Sequence, residues 1–189
     1  MTKFLTWTNR QTESLGNLDW LVPSLARLLF ASALLNYFWA SGLTKLGDGV
    51  MGIFQPSVGA YAQIFPRVME SVVYDTSQLS MFHWLVVVAG TWAEFILPAF
   101  IVLGLLTRLS AIGMIGFVVV QSLTDLYGHG AIAHEGTLGA FFDRFPDAIM
   151  LDQRAFWVFT LAVLVIKGAG PLSLDRLLGR SQNTAVAAD

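Results

Sequence analysis

"WLVVVAGTWAEFILPAFIVLGLL", residues Trp84 to Leu106, carries a single charged side chain, Glu94. A helix needs about 20 apolar residues to cross the roughly 30 Å of bilayer hydrocarbon. This stretch is long enough and apolar all round, so it reads as a membrane span, placed from about Phe82 to Leu105. Glu94 then lies near mid-membrane, where a charged side chain costs about 2.5–3.5 kcal/mol. Such a carboxylate must protonate or find a partner. Arg27, close to the start of the first apolar segment, is the expected ion partner, and Asn36 the nearer neutral one. Pro98 cannot donate to the carbonyl of residue 94, which predicts a local kink.

The rest of the chain fits the same solvent. It has 189 residues, 55% of them hydrophobic and 13% charged, whereas soluble chains carry about 25% charged residues. Three more apolar segments run from about Val22 to Leu43, Leu109 to Leu126 and Leu151 to Gly168. The last is the weakest, and its flanking Asp152, Arg154 and Lys167 are expected at the interfaces. A soluble bundle would need a polar face on each helix, and the second and third segments have none. The expected fold is therefore all-α, an integral membrane four-helix bundle. Residues 1–21 form a polar N-terminal segment without the apolar core of a signal peptide. The membrane domain covers 22–178, and 179–189 is expected to be a flexible tail.

Basic residues set the orientation. Seven (Lys3, Arg10, Arg27, Arg108, Lys167, Arg176, Arg180) lie on the side of the termini, and four (Lys45, Arg67, Arg144, Arg154) on the other. This predicts cytoplasmic termini and two long outward-facing loops, Thr44 to Met81 and Tyr127 to Met150. In the first loop Tyr61, Ile64, Phe65, Val68, Met69 and Val72 recur at helical spacing around Pro66, as for a helix lying in the interface.

The functional classes narrow by composition. A net charge of −2 with no basic run gives no nucleic-acid surface, and the absence of cysteine excludes disulfides, iron–sulfur ligation and attached c-type haem. The electron-carrying cofactor of a redox system is then expected on a protein partner, and no covalent cofactor is expected on this chain. The three histidines, His83, His129 and His134, fall on the outer side with Glu135 beside them. Imidazoles and a carboxylate can hold zinc or copper, but the five-residue spacing of His129 and His134 matches no recognised metal motif. Aromatic residues also gather outward, as an interfacial belt does. A flat quinone headgroup could stack there, with a histidine or Gln121 donating to its carbonyls.

Three stretches carry a family resemblance. "ARLLFASALLNYFWASGLTKL" (Ala26 to Leu46) opens with Arg27 and closes on Gly42 and Lys45. "AEFILPAFIVLGLLTRLSAIG" (Ala93 to Gly113) holds Glu94, Gly104 and Arg108. "KGAGPLSLDRLL" (Lys167 to Leu178) holds Gly168, Gly170, Ser173 and Asp175. Together these resemble the DoxX family of small four-helix bacterial membrane proteins. The resemblance implies an inner-membrane bundle; one branch of that family supplies a membrane subunit of thiosulfate:quinone oxidoreductase. The function expected on this basis is a non-catalytic or quinone-linked subunit of a redox or stress-related complex. The alternative is a transport or assembly component, working as a homo-oligomer with a polar path through Glu94 and Arg27. Read locally, Arg108 is a topology anchor, and the Gly168–Asp175 ending stops the fourth helix and caps a short following one.

Overall fold

The computed structural model describes Trp7 and residues 18–179. The remaining N-terminal residues and the tail from 180 lie outside the described residues, and with them most of the expectations for those two segments. Among the described residues there is no strand. Four helices are long and apolar enough to cross a membrane: α1 (Leu21–Lys45), α4 (Met81–Leu103), α5 (Thr107–Gly128) and α7 (Ile149–Lys167). Their boundaries fall within two residues of the sequence reading. Between them lie α2 (Val58–Ile64), α3 (Pro66–Ser71) and α6 (Glu135–Leu138), and residues 174–179 form α8.

All four spans contribute to one core. Phe30, Leu34 and Phe38 of α1 meet Ile101 of α4, Ala111, Met114 and Val118 of α5, and Leu161 and Leu164 of α7. Only 22–28% of the residues in each span's apolar window are buried. Large apolar side chains such as Leu28, Leu109, Ile112, Phe156 and Phe159 face outward. In water they would form an aggregation-prone surface; in hydrocarbon they are what a span must present.

The long first loop is a cap on α4. Pro66 ends α2 and occupies the first turn of α3, where its missing N–H has no intrahelical partner to lose. Tyr61 and Met69 bury against Val87 of α4, with Ile64, Phe65 and Val72 packed around them. The helical spacing seen in the sequence is real, but its apolar face covers protein instead of lying along the lipid interface. Trp84 and Trp92 of α4 tie down the same loop by donating to the carbonyls of Phe54 and Ile53, each at 2.9 Å.

Candidate functional site

Glu94 is the fourteenth residue of α4, about 14 Å from its nearer end at 1.5 Å per residue. Its carboxylate is 4% exposed and pairs with Lys45, whose Nζ lies 3.0 Å from both Oε1 and Oε2. Ser41 completes the group: its Oγ donates to Glu94 Oε1 at 3.0 Å and accepts from Lys45 Nζ at 2.7 Å. The expected pairing with Arg27 is therefore corrected. The reason is the direction of helical side chains, which lean toward the N-terminus of their own helix. Lys45, the last residue of α1, reaches back into the membrane toward Glu94. Arg27, near the start of α1, leans the same way along the helix, which from that end leads out of the membrane and away from Glu94. Asn36 takes no part either, standing on an exposed face of α1.

The register that brings Lys45 to Glu94 is set one residue along. A Cβ on Gly42 would lie 2.7 Å from the ring of Phe95, so only glycine lets that ring lie against α1. Gly42 and Lys45 thus receive Phe95 and Glu94 as a matched pair of contacts. Trp39 adds an indole N–H to the Phe95 carbonyl at 3.3 Å, within one turn of Pro98, where the ladder lacks a donor.

Beside the ion pair opens a cavity of about 460 Å³, within the range of about 300–1,000 Å³ typical of ligand sites. One face of α4 (Val86, Ala89, Gly90, Ala93, Glu94, Leu97) and one face of α5 (Gly113, Gly116, Phe117, Val120, Gln121, Thr124, Asp125) form its walls. Small residues on both faces hold it open: a Cβ on Gly116 would meet nothing within 4 Å. Ser41 and Lys45 contribute from α1, and Gln63, Ile64 and His129 from the outer segments. His129 Nε2 lies 3.0 Å from the Gln63 carbonyl, joining the two loops across this cavity. A wider depression of about 690 Å³ between α1 and α7 has only Ser32 and Thr160 as polar lining. Both hydroxyls bond back to their own helix, which leaves that surface suited to lipid chains.

Gln121 donates Nε2 to the Tyr37 hydroxyl at 2.8 Å, and its Oε1 is buried with no partner. Exchanging the two amide atoms would strand a donor in place of an acceptor, so one group stays unsatisfied in either orientation. A second ion pair, buried at Arg154 and a third exposed at Asp125, was missed in the sequence reading and closes the loop end of α5 and α7. Arg154 is 5% exposed and pairs with Asp125 while donating to Ser122 Oγ at 2.9 Å. Arg154 is therefore buried in protein at the end of the span where an interfacial charge was expected. No sequence signal gave this, because both residues sit where interfacial charges are ordinary.

The histidines do not converge. His83 Nδ1 is 2.9 Å from Ser80 Oγ and its ring packs edge-on to Phe65, while His129 is engaged with Gln63. Among the described residues no three His, Asp or Glu side chains come together as metal ligands; His134 joins no such group, and the Glu135 side chain lies outside the described residues.

The other motif residues build a clasp at the opposite end of the bundle. Arg27 Nε donates to the Ile101 carbonyl at 3.0 Å and Nη1 to that of Ala169 at 3.0 Å, and the guanidinium also reaches the carbonyls of Val102 and Leu172. A cation at a helix C-terminus satisfies orphan carbonyls and complements the helix dipole. Gly104 ends α4 at φ +68°, and a Cβ there would fall 2.6 Å from that of Ser173. Asp175 accepts from the N–H of Leu106 at 2.7 Å, and from the N–H and Oγ1 of Thr107 at 3.0 and 2.8 Å. It thereby caps α5, whereas the sequence suggested only the short helix after α7. Ser173 does serve that helix, accepting from the N–H of Arg176 at 3.3 Å. Arg108 donates to the Ile166 carbonyl at 3.2 Å, near the end of α7. Gly168 and Gly170 turn the chain there at φ +80° and +77°.

The DoxX family model matches residues 22–125. That stretch contains the ion pair, the cavity walls and Arg27, and stops before the Gly168–Asp175 ending. No curated protein and no solved structure matches the chain.

Proposed function

The chain belongs to the DoxX family, and from that premise we propose that it is a membrane subunit of a quinone-linked redox complex in the bacterial inner membrane. The observation that supports this reading is the cavity beside the buried Lys45–Glu94 pair. A quinone needs apolar walls for its ring and tail and a few fixed polar groups for its oxygens. Val86, Leu97, Phe117 and Val120 offer the first, and the Ser41–Lys45–Glu94 group the second. A charged pair inside a span is also, by default, a functional candidate, because hydrocarbon makes it expensive to keep. With no cysteine in the sequence, the proposal assigns the electron-carrying cofactor to a protein partner, and the chain is one component of an enzyme, not the whole.

The transport alternative draws on no comparable observation. Its path runs through Glu94 and Arg27, and the Arg27 guanidinium is committed to four backbone carbonyls at the other end of the bundle. The test is the lipid extract of protein purified in mild detergent. Quinone is expected in stoichiometric amount with the wild type and lost from Gly116→Leu, which fills the cavity. Equal quinone in both preparations, or none in either, sinks the proposal.

A further inference from the structure

We propose that the cavity recognises a hydrogen-bond donor, so that its ligand presents a hydroxyl to Glu94 and is bound as a hydroquinone or phenol in preference to the quinone. This rests on the quinone-pocket reading and specifies which form of the ligand the site holds. The argument is an inventory of protons. An ammonium has three, and those of Lys45 are shared among four acceptors: Ser41 Oγ at 2.7 Å, Glu94 Oε1 and Oε2 at 3.0 Å each, and the Ser41 carbonyl at 3.3 Å. The single hydroxyl proton of Ser41 goes to Glu94 Oε1 at 3.0 Å. Every donor in the group is therefore used.

The acceptors are not. A carboxylate offers about four lone-pair sites. Glu94 Oε1 takes two bonds and Oε2 takes one, which leaves acceptor capacity on Oε2. The pair is neutral as a whole, so neither an anion nor a cation is favoured by net charge. What the ion-pair group can give a ligand is one charge-assisted acceptor, in a cavity whose other polar lining is Gln63, Gln121, Thr124, Asp125 and His129. A hydroquinone hydroxyl fits that offer. A quinone carbonyl fits it less well, since it brings a second acceptor against a carboxylate and has to take Lys45 or Ser41 from it. A bond to a charged acceptor is worth on the order of 10- to 100-fold in affinity.

The preference can be read without redox chemistry. The probes are 4-hexylphenol and its methyl ether 4-hexylanisole, titrated calorimetrically into wild-type protein in mild detergent. Gly116→Leu, with its cavity filled, gives the baseline for partition into micelles. The phenol is expected to bind on the order of 10- to 100-fold more tightly than the ether, and the preference to vanish in the double variant Lys45→Met with Glu94→Leu. Equal binding of phenol and ether by the wild type overturns the donor rule while leaving an occupied pocket. Binding of neither above the Gly116→Leu baseline, in protein whose extract also lacks quinone, overturns the pocket reading itself. The wild-type comparison needs no variant of the ion pair, so it stands even if the double variant does not fold.

Discussion

Two carboxylate oxygens, one ammonium and one hydroxyl make up the most costly set of atoms in the bundle, and removing half of it should show the cost. Lys45→Met strands the Glu94 carboxylate and is expected to destabilise the protein by about 3–5 kcal/mol, read as a loss of thermal stability in detergent. Lys45→Met combined with Glu94→Leu should recover most of that loss, because no charge is then left unpaired. A double variant as unstable as the single one would show that the pair is not what makes Lys45 matter. The lone acid was legible in the sequence as one charge among 22 uncharged residues. Its partner was not. Distances counted along helix axes put Arg27 within reach, but the N-terminal lean of helical side chains carries Arg27 away and Lys45 toward it.

At the scale of elements, helix ends decide more than helix middles. The spans were legible to within two residues, since length and hydropathy are local properties of the chain. The clasp was legible only in part. Ser173 and Asp175 have the chemistry of caps, but nothing local tells Asp175 to cap α5, whose first residues lie 68 and 69 positions earlier in the chain. Two glycines in similar sequence settings should therefore respond in opposite ways. Gly104→Ala places a Cβ at φ +68° and 2.6 Å from Ser173, and is expected to lower the melting temperature clearly. Gly116→Ala enters open space on a helix face and should leave it unchanged or raise it, by up to the ~1 kcal/mol by which alanine exceeds glycine in a helix. Thermal unfolding of the two variants side by side checks both signs; equal losses would contradict this account of the helix ends.

For the whole molecule, the sequence supplied the class, four spans and two long loops, because hydropathy reports the solvent directly. It left the cavity unseen. That space exists only where one face of α4 meets one face of α5, and small residues there read equally well as close packing. The seven-to-four distribution of basic residues makes an orientation an expectation to be tested. Because the chain has no cysteine, single cysteines can report it at sites where a side chain meets nothing, Gly136 and Gly179. Gly136→Cys is expected to react with a membrane-impermeant maleimide in intact cells, and Gly179→Cys only after permeabilisation. The reverse pattern would invert the bundle.

The clasp at Arg27 also bears on biosynthesis. Its acceptors lie 74, 75, 142 and 145 residues further along the chain. A ribosome delivers α1 to the membrane long before Ala169 and Leu172 have been made. Until α4 is made the guanidinium has only headgroups and water to bond, and until Ala169 and Leu172 follow it has only the two acceptors of α4, Ile101 and Val102. The start of α1 therefore gains its last anchors from a turn made more than 140 residues later. A nascent chain stalled before Ala169 should leave that end of α1 half-anchored and more open to proteolysis than in the finished protein.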